Sequence, residues 1–263
     1  MTPMPARRVE ARAVGGVAEG LSDDPFAILG RHPAPAGAAH GAVIRTLQPA
    51  ASAVEIVVGD QVVPMERRRP EGLFVGVVPW DGPLDELGYL LRVHEPAGVR
   101  DLIDPYQFGP VLTDFDLHLF SEGRHYRAWE QLGSRRRTVG LVAGVHFAVW
   151  APNAQRVSVI GDFNAWDGRM HVMRRLVPSG IWEIFLPGLE EGRQYKFEIV
   201  PHHGPPVLKS DPYGRYFETP PQTASIVNRP RIFADPVTGN ISGLWQGGNH
   251  GEGTQSSNVT RQC

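Results

Sequence analysis

The chain states one pattern twice. The first statement runs from Gly41-Ala-Val-Ile44 through Pro49, Val54-Glu-Ile-Val57, Leu73-Phe74 and Tyr89 to Asp104-Pro-Tyr106. The second runs from Gly144-Val-His-Phe147 through Pro152, Val157-Ser-Val-Ile160, Ile181-Trp182 and Tyr195 to Asp211-Pro-Tyr213. The opening glycines stand 103 positions apart and the closing aspartates 107, so the copies differ only by short loop changes. Such repetition constrains architecture more than any single motif, because both copies must solve the same packing problem. Val54 and Ile56 alternate with Glu55 and Val57, the period-two signature of a sheet with one packed face. Val145, Phe147 and Val149, then Tyr195, Phe197 and Ile199, repeat it. Strands this short, separated by Pro and Gly, predict an all-β chain: two tandem immunoglobulin-like antiparallel β-sandwiches joined by a short helical linker, with disordered tails.

The expected boundaries follow from composition. Residues 1–20 are Ala, Arg and Gly rich without periodicity and read as a disordered tail. The first sandwich is expected over 21–111 and the second over 138–227. Between them, in the linker 112–137, Tyr126, Trp129 and Leu132 recur at helical spacing and Gly133 follows as a stop signal. Arg135-Arg-Arg137 reads as solvated linker charge. Residues 228–263, rich in Gly, Asn, Ser, Gln and Thr, carry too little apolar surface to offset ordering entropy and read as a second disordered tail.

Several function classes are disfavoured at once. No apolar run approaches the roughly 18 residues of a membrane span. A net charge of −2 and a pI near 6.6 give no basic surface for nucleic acid. The single cysteine, Cys263, excludes an intramolecular disulfide and a multi-thiolate metal site, and fits a cytoplasmic protein. Triad, zinc-protease and phosphate-loop patterns are absent, and nothing marks two carboxylates as a catalytic pair. No catalytic residue, metal or cofactor is expected.

What remains is a binding motif. Gly161-Asp-Phe-Asn-Ala-Trp166 directly follows a strand, and its residues are turn formers that expose what comes next. An indole delivered there either stacks on the C–H face of a sugar ring or folds back over the sandwich core. Under the first reading Asn164, Asp162 and Lys196 supply the polar rim that hydroxyls require. Strand alternation points Lys196 away from the face packed by Tyr195 and Phe197. Trp182, sharing a face with Ile184 and Leu186, reads as core.

These residues resemble the amino-terminal region of bacterial 1,4-α-glucan (glycogen) branching enzymes over about 24–227. The likeness is carried by Asp24-Pro-Phe-Ala-Ile-Leu-Gly-Arg-His32, Asp104-Pro-Tyr106, Asp116-Leu-His-Leu-Phe-Ser-Glu-Gly-Arg-His-Tyr126, Phe147-Ala-Val-Trp-Ala-Pro-Asn153, Gly161-Asp-Phe-Asn-Ala-Trp166, Tyr195-Lys-Phe-Glu198 and Lys209-Ser-Asp-Pro-Tyr213. Domains similar to the second copy occur in isoamylases, trehalose-forming hydrolases and β subunits of AMP-activated kinases. The opening motif and the linker are the more specific to branching enzymes.

The resemblance implies a transfer reaction, an α-1,4 segment cut with retention and rejoined through an α-1,6 bond. Its carboxylates lie on a (β/α)8 barrel of about 250 residues. The chain leaves the family pattern after Thr223-Ala-Ser-Ile-Val227, and the residues that follow are too few for a barrel, so no catalytic residue carries over and the chain alone is expected to be inactive. What carries over is a weak glucan surface for glycogen or maltooligosaccharide, with Trp166 as platform and Lys196, Asn164 and Asp162 around it. A second platform, found in the kinase-type modules, would fall near Gly204-Pro-Pro-Val207, where no aromatic stands. The expected partners are α-1,4-glucan and a separately encoded catalytic barrel. The alternative expectation is a stand-alone carbohydrate-binding or scaffolding module.

Overall fold

The computed structural model describes residues 15–17, 22, 24–34, 41–227, 233–234 and 241–242. Most of both expected tails lies outside the described residues. In the second, Phe233–Ala234 and Ile241–Ser242 pair antiparallel.

Between residues 30 and 227 the fold is all-β, in four antiparallel sheets that pack in pairs. In the first pair, β1 (Gly30–Pro33), β2 (Ala42–Leu47), β6 (Leu73–Val78) and β5 (Glu66–Arg67) lie side by side. They face β4 (Gln61–Pro64), β3 (Ala53–Val58), β7 (Leu90–Glu95) and β8 (Gly98–Ile103). Ala42, Ile44, Val54, Ile56, Phe74 and Leu91 fill the space between these sheets. In β3 the burial alternates as the sequence does, Val54 and Ile56 inward and Glu55 half exposed.

The second pair repeats this plan. One sheet orders β12 (Arg174–Leu176), β13 (Ile181–Pro187), β10 (Val142–Trp150) and β9 (Gly133–Val139). The other orders β11 (Ala154–Gly161), β14 (Gln194–Pro201), β17 (Ser225–Ile226) and β16 (Tyr216–Phe217), with β15 (Val207–Lys209) also on β14. Phe147, Val157, Val159, Trp182, Tyr195 and Phe197 are buried between them. The same apolar cluster continues into Leu29, Leu47, Leu73 and Tyr106 of the first pair, so the two sandwiches share one uninterrupted packing surface.

The repeat extends one strand further than its sequence signature. Leu29-Gly30 opens β1 and Leu132-Gly133 opens β9, again 103 positions apart. Both leucines are buried, and both glycines have positive φ, +85° and +86°. A Cβ on Gly30 would meet the Tyr106 carbonyl oxygen at 2.4 Å, and one on Gly133 would meet Asp211 Oδ2 at 2.9 Å. Each aspartate-proline-tyrosine thus closes on the leucine-glycine of its own copy.

The closure uses a clamp made twice. Tyr89 Oη donates to Asp104 Oδ2 at 2.7 Å while Asp104 Oδ1 accepts from Tyr106 N–H at 3.0 Å. Tyr195 Oη donates to Asp211 Oδ2 at 2.5 Å while Asp211 Oδ1 accepts from Tyr213 N–H at 2.8 Å. Burial pushes the Asp104 carboxyl up to about 6, despite the lowering effect of both hydrogen bonds, and raises Asp211 as well. Because the folded state holds the Asp104 proton more tightly than the unfolded chain, this group's stabilisation is complete below about 4 and lost as pH rises through about 6. Asp104→Asn does not titrate. Its stability relative to the parent is therefore expected to improve by on the order of 2–3 kcal/mol between pH 4 and pH 7.5, read from urea midpoints at each pH. An unchanged difference would show that Asp104 ionises freely in the fold.

The linker is shorter than expected, because β9 takes up residues 133–139. Its main helix, Asp114–Ser121, starts at a capping box in which Thr113 Oγ1 accepts from Asp116 N–H and Asp116 Oδ2 accepts from Thr113 N–H, both at 3.2 Å. Leu117 and Phe120 pack with Leu112, Leu132, Ala148, Leu176 and Ile181 on the outer face of the β12-β13-β10-β9 sheet. The helical spacing read from Tyr126, Trp129 and Leu132 corresponds to a second, short helix. The helix there is only Ala128–Gln131, Leu132 alone is buried, and Tyr126 is 84% exposed. Arg135-Arg-Arg137 lies on β9, where Arg135 donates to the carbonyls of Ser134 and Trp129, Arg136 pairs with Glu191 and Arg137 donates to Gln131. Among the described residues no helix is long and apolar enough to cross a membrane, and no group of three or more metal-ligating side chains converges.

Candidate functional site

The turn after β11 is built from its asparagine outward. Gly161 tolerates no side chain, since a Cβ there would lie 2.3 Å from the Gln194 carbonyl oxygen. The Gly161 carbonyl accepts from Asn164 N–H at 3.2 Å and from Trp166 N–H at 3.0 Å. Asn164 Oδ1 in return accepts from Gly161 N–H at 2.8 Å, and its Nδ2 donates to the Val159 carbonyl at 2.9 Å. Winding this tightly sends Ala165 and Trp166 into the left-handed region, at φ +53° and +59°. Two consecutive non-glycine residues there are strained by roughly 1 kcal/mol or more each, a cost that marks a turn held for a purpose. Trp166 emerges with 39% of its surface exposed.

The chain then folds across the outer face of β14. Arg156 donates to the Gly168 carbonyl at 2.9 Å and pairs with Glu198, and a Cβ on Gly168 would overlap the Glu198 carboxylate. Glu198 and Lys196 share that face, opposite the buried Tyr195 and Phe197, and Lys196 lies directly across from Ile160, one residue before the turn. Lys196 Nζ donates to Thr223 Oγ1 at 2.8 Å.

The expected site residues therefore have unequal places. Trp166 is partly exposed on the turn, and Lys196 is half-buried on the outer face of β14. Asp162 is exposed at the turn's start and pairs with Arg193 at 3.5 Å. Asn164 differs from expectation. It is 6% exposed and its amide is fully engaged, so it shapes the turn and presents no polar atoms to solvent. Thr223, which accepts from Lys196, and the Asp167–Arg169 fork, Oδ2 to Nη2 at 2.7 Å, carry polar groups that the sequence reading does not single out. The fork directly follows Trp166, and Arg169 holds the Asp167 carboxyl below its usual range. Only Thr223 lacked any sequence signal, because the fold alone brings it to Lys196. Trp182 is fully buried, its Nε1 donating to the Ala151 carbonyl at 3.0 Å, as read for a core residue.

Residues 10–106 match the profile of the alpha-1,4-glucan branching enzyme GlgB, N-terminal domain, and residues 131–214 that of carbohydrate-binding module 48 (isoamylase N-terminal domain). The chain is 48% identical over 229 residues to the 1,4-alpha-glucan branching enzyme GlgB of Paramagnetospirillum magneticum, covering 86% of this chain and 30% of that protein. It is 45% identical over 216 residues to GlgB 1 of Xanthomonas campestris, covering 81% and 29%, and 46% identical over 226 residues to GlgB of Pseudomonas aeruginosa, covering 85% and 30%. The chain thus spans about 30% of the length of the curated relatives it matches. By both domains and their order, the chain matches the amino-terminal portion of 1,4-α-glucan branching enzymes, an amino-terminal domain followed by a carbohydrate-binding module 48.

Proposed function

We propose that this chain is the non-catalytic, α-glucan-binding amino-terminal portion of a glycogen branching enzyme, working in the cytoplasm. The observation that carries the reading is Trp166, held partly exposed in a strained left-handed turn directly after β11, the strand whose Ile160 pairs with Lys196. An indole in that setting offers an apolar plane to a glucose ring, and the ammonium of Lys196 with the hydroxyl of Thr223 offers donors to its hydroxyls. Asp162 and the Asp167–Arg169 fork extend the polar edge. In affinity electrophoresis through amylopectin, Trp166→Ala is expected to weaken retention about tenfold, equivalent to ~1.4 kcal/mol, and Lys196→Ala by a smaller factor. Retention equal to the parent's in Trp166→Ala would remove the platform.

A second reading, that these domains mainly pack against a catalytic barrel, is favoured by the linker. Phe115, Tyr126 and Trp129, on and between its two short helices, are 69%, 84% and 51% exposed. Under this reading sedimentation reports self-association that maltoheptaose does not change. Under the first, added maltoheptaose binds without regard to association.

A further inference from the structure

A histidine outside the assigned surface sits behind the Trp166 turn. The orientation of Asn164 is settled by two backbone partners, an N–H donor at Oδ1 and a carbonyl acceptor at Nδ2. The second Nδ2 proton points at His171 Nδ1, 3.0 Å away. A donor there requires an unprotonated Nδ1, so His171 is neutral with its proton on Nε2. His171 also stands beside the Phe163 ring, centroids 5.7 Å apart, and is strung along β11, its carbonyl accepting from Val159 N–H at 3.0 Å.

The first sandwich grips the same segment. Tyr106 Oη accepts from Val172 N–H at 3.0 Å and faces the carbonyls of Met170 and Val172 at 3.2 and 3.3 Å. A cavity of about 40 Å³ lies alongside, lined by Thr46, Gln48 and Asp104 from the first sandwich and by Phe163, Met170 and His171 from the second. Gln48 Oε1, buried, has no protein partner.

We propose that His171 is a positioning residue for the Trp166 turn, through Asn164, and that the first sandwich sets its place by holding Met170–Val172 with Tyr106. The proposal rests on the reading of Trp166 as the glucan platform. Protonated His171 would turn Nδ1 into a donor facing the Asn164 donor and break the link. The groups facing the ring are Arg100, itself paired with Glu95, together with Asp104 and Tyr106. Burial and then the Arg100 charge push His171 down from 6.5 to about 4, which keeps the link intact at neutral pH. Since the folded state binds this proton less readily than the unfolded chain, acid opposes the folded turn as pH falls from about 6.5 through about 4.

The test uses the full chain. Nitrogen-15 spectra of the His171 ring at pH 7 are expected to show an unprotonated Nδ1 and a protonated Nε2. His171→Leu is expected to raise the maltoheptaose Kd about tenfold and to lower the heteronuclear NOE of the Trp166 indole N–H. His171→Gln, which supplies an acceptor to Asn164, restores both to within about threefold of the parent. A protonated Nδ1 overturns the proposal, as does a His171→Leu protein whose Kd and indole NOE match the parent's. If His171→Leu fails to fold, the ring spectra and the parent's loss of affinity toward pH 4 decide the matter. Failure of the underlying reading looks different, with no maltoheptaose binding by the parent at pH 7 while the ring spectra stand as expected.

Discussion

Glu183→Ala is expected to destabilise the chain by roughly 3–5 kcal/mol at pH 7, the loss typical of removing one member of a buried charged network. Glu183 is 2% exposed on β13, where its carboxylate accepts from His146 Nε2 at 2.9 Å and from the backbone N–H groups of Val111 and Leu112 at 2.9 and 3.1 Å. It is the point at which the linker is fastened to the second sandwich. Alanine would leave two amides and a fully buried imidazole without acceptors, while the His146 Nδ1 already has no partner. Burial alone would push the Glu183 carboxyl up, but His146 and the two amides outweigh it and hold the group below its ordinary 4.5. Its stabilisation is therefore present above about 4.5 and lost as pH falls below that value. Glu183→Gln keeps the shape and one acceptor oxygen, and is expected to lose less than half as much. Urea unfolding at pH 7 measures both, and a loss under about 1 kcal/mol for Glu183→Ala would mean that the linker is held by its apolar contacts alone.

Trp182→Ala and Trp166→Ala should separate stability from binding. Trp182 is fully buried between the two sheets of the second sandwich, in the cluster that also holds Phe147, Tyr195 and Phe197, with Arg175 over its ring at 5.9 Å. Its truncation removes a large apolar volume that the flanking strands cannot collapse to fill, at an expected ~3–5 kcal/mol. Trp166 contributes little to any core, and alanine at φ +59° carries less side-chain crowding, so its loss should change stability by about 0.5 kcal/mol or less. Thermal unfolding and amylopectin retention measured on the same two proteins give the comparison. Equal destabilisation by the two substitutions would place Trp166 in the core.

Much of this was legible because it is local. Alternation in Val54-Glu-Ile-Val57 and Tyr195-Lys-Phe-Glu198 reports which side of a strand is buried, and the structure buries Val54, Ile56, Tyr195 and Phe197 while leaving Glu55, Lys196 and Glu198 on the other side. The copy relation at 103 residues announced a duplicated sandwich, yet its first strand escaped notice. Leu29-Gly30 and Leu132-Gly133 are only a dipeptide each, and Gly133 serves equally well as a helix stop until its contact with Asp211 is seen. The short helix read from Tyr126, Trp129 and Leu132 is there as Ala128–Gln131, but three recurring positions gave no sign of the longer helix Asp114–Ser121 before it.

At the site the division is the same. Turn chemistry in Gly161-Asp-Phe-Asn-Ala-Trp166 reads as a tight reversal from residues alone, since Gly and Asn permit it, but it leaves open whether the indole points outward or folds back over the core; the structure leaves 39% of it exposed. Which polar groups accompany it was decided by contacts between residues far apart in the chain: Thr223 against Lys196, Gly168 against Glu198, and Asn164 turned inward to meet His171. A side chain's local propensity sets the backbone it favours, but the identity of its hydrogen-bond partner depends on what the sheet brings alongside. Sequence therefore determined the strands, the repeat and the turn that carries Trp166, and tertiary structure decided that its ring is partly exposed and that the first sandwich, through Tyr106, reaches the segment behind it.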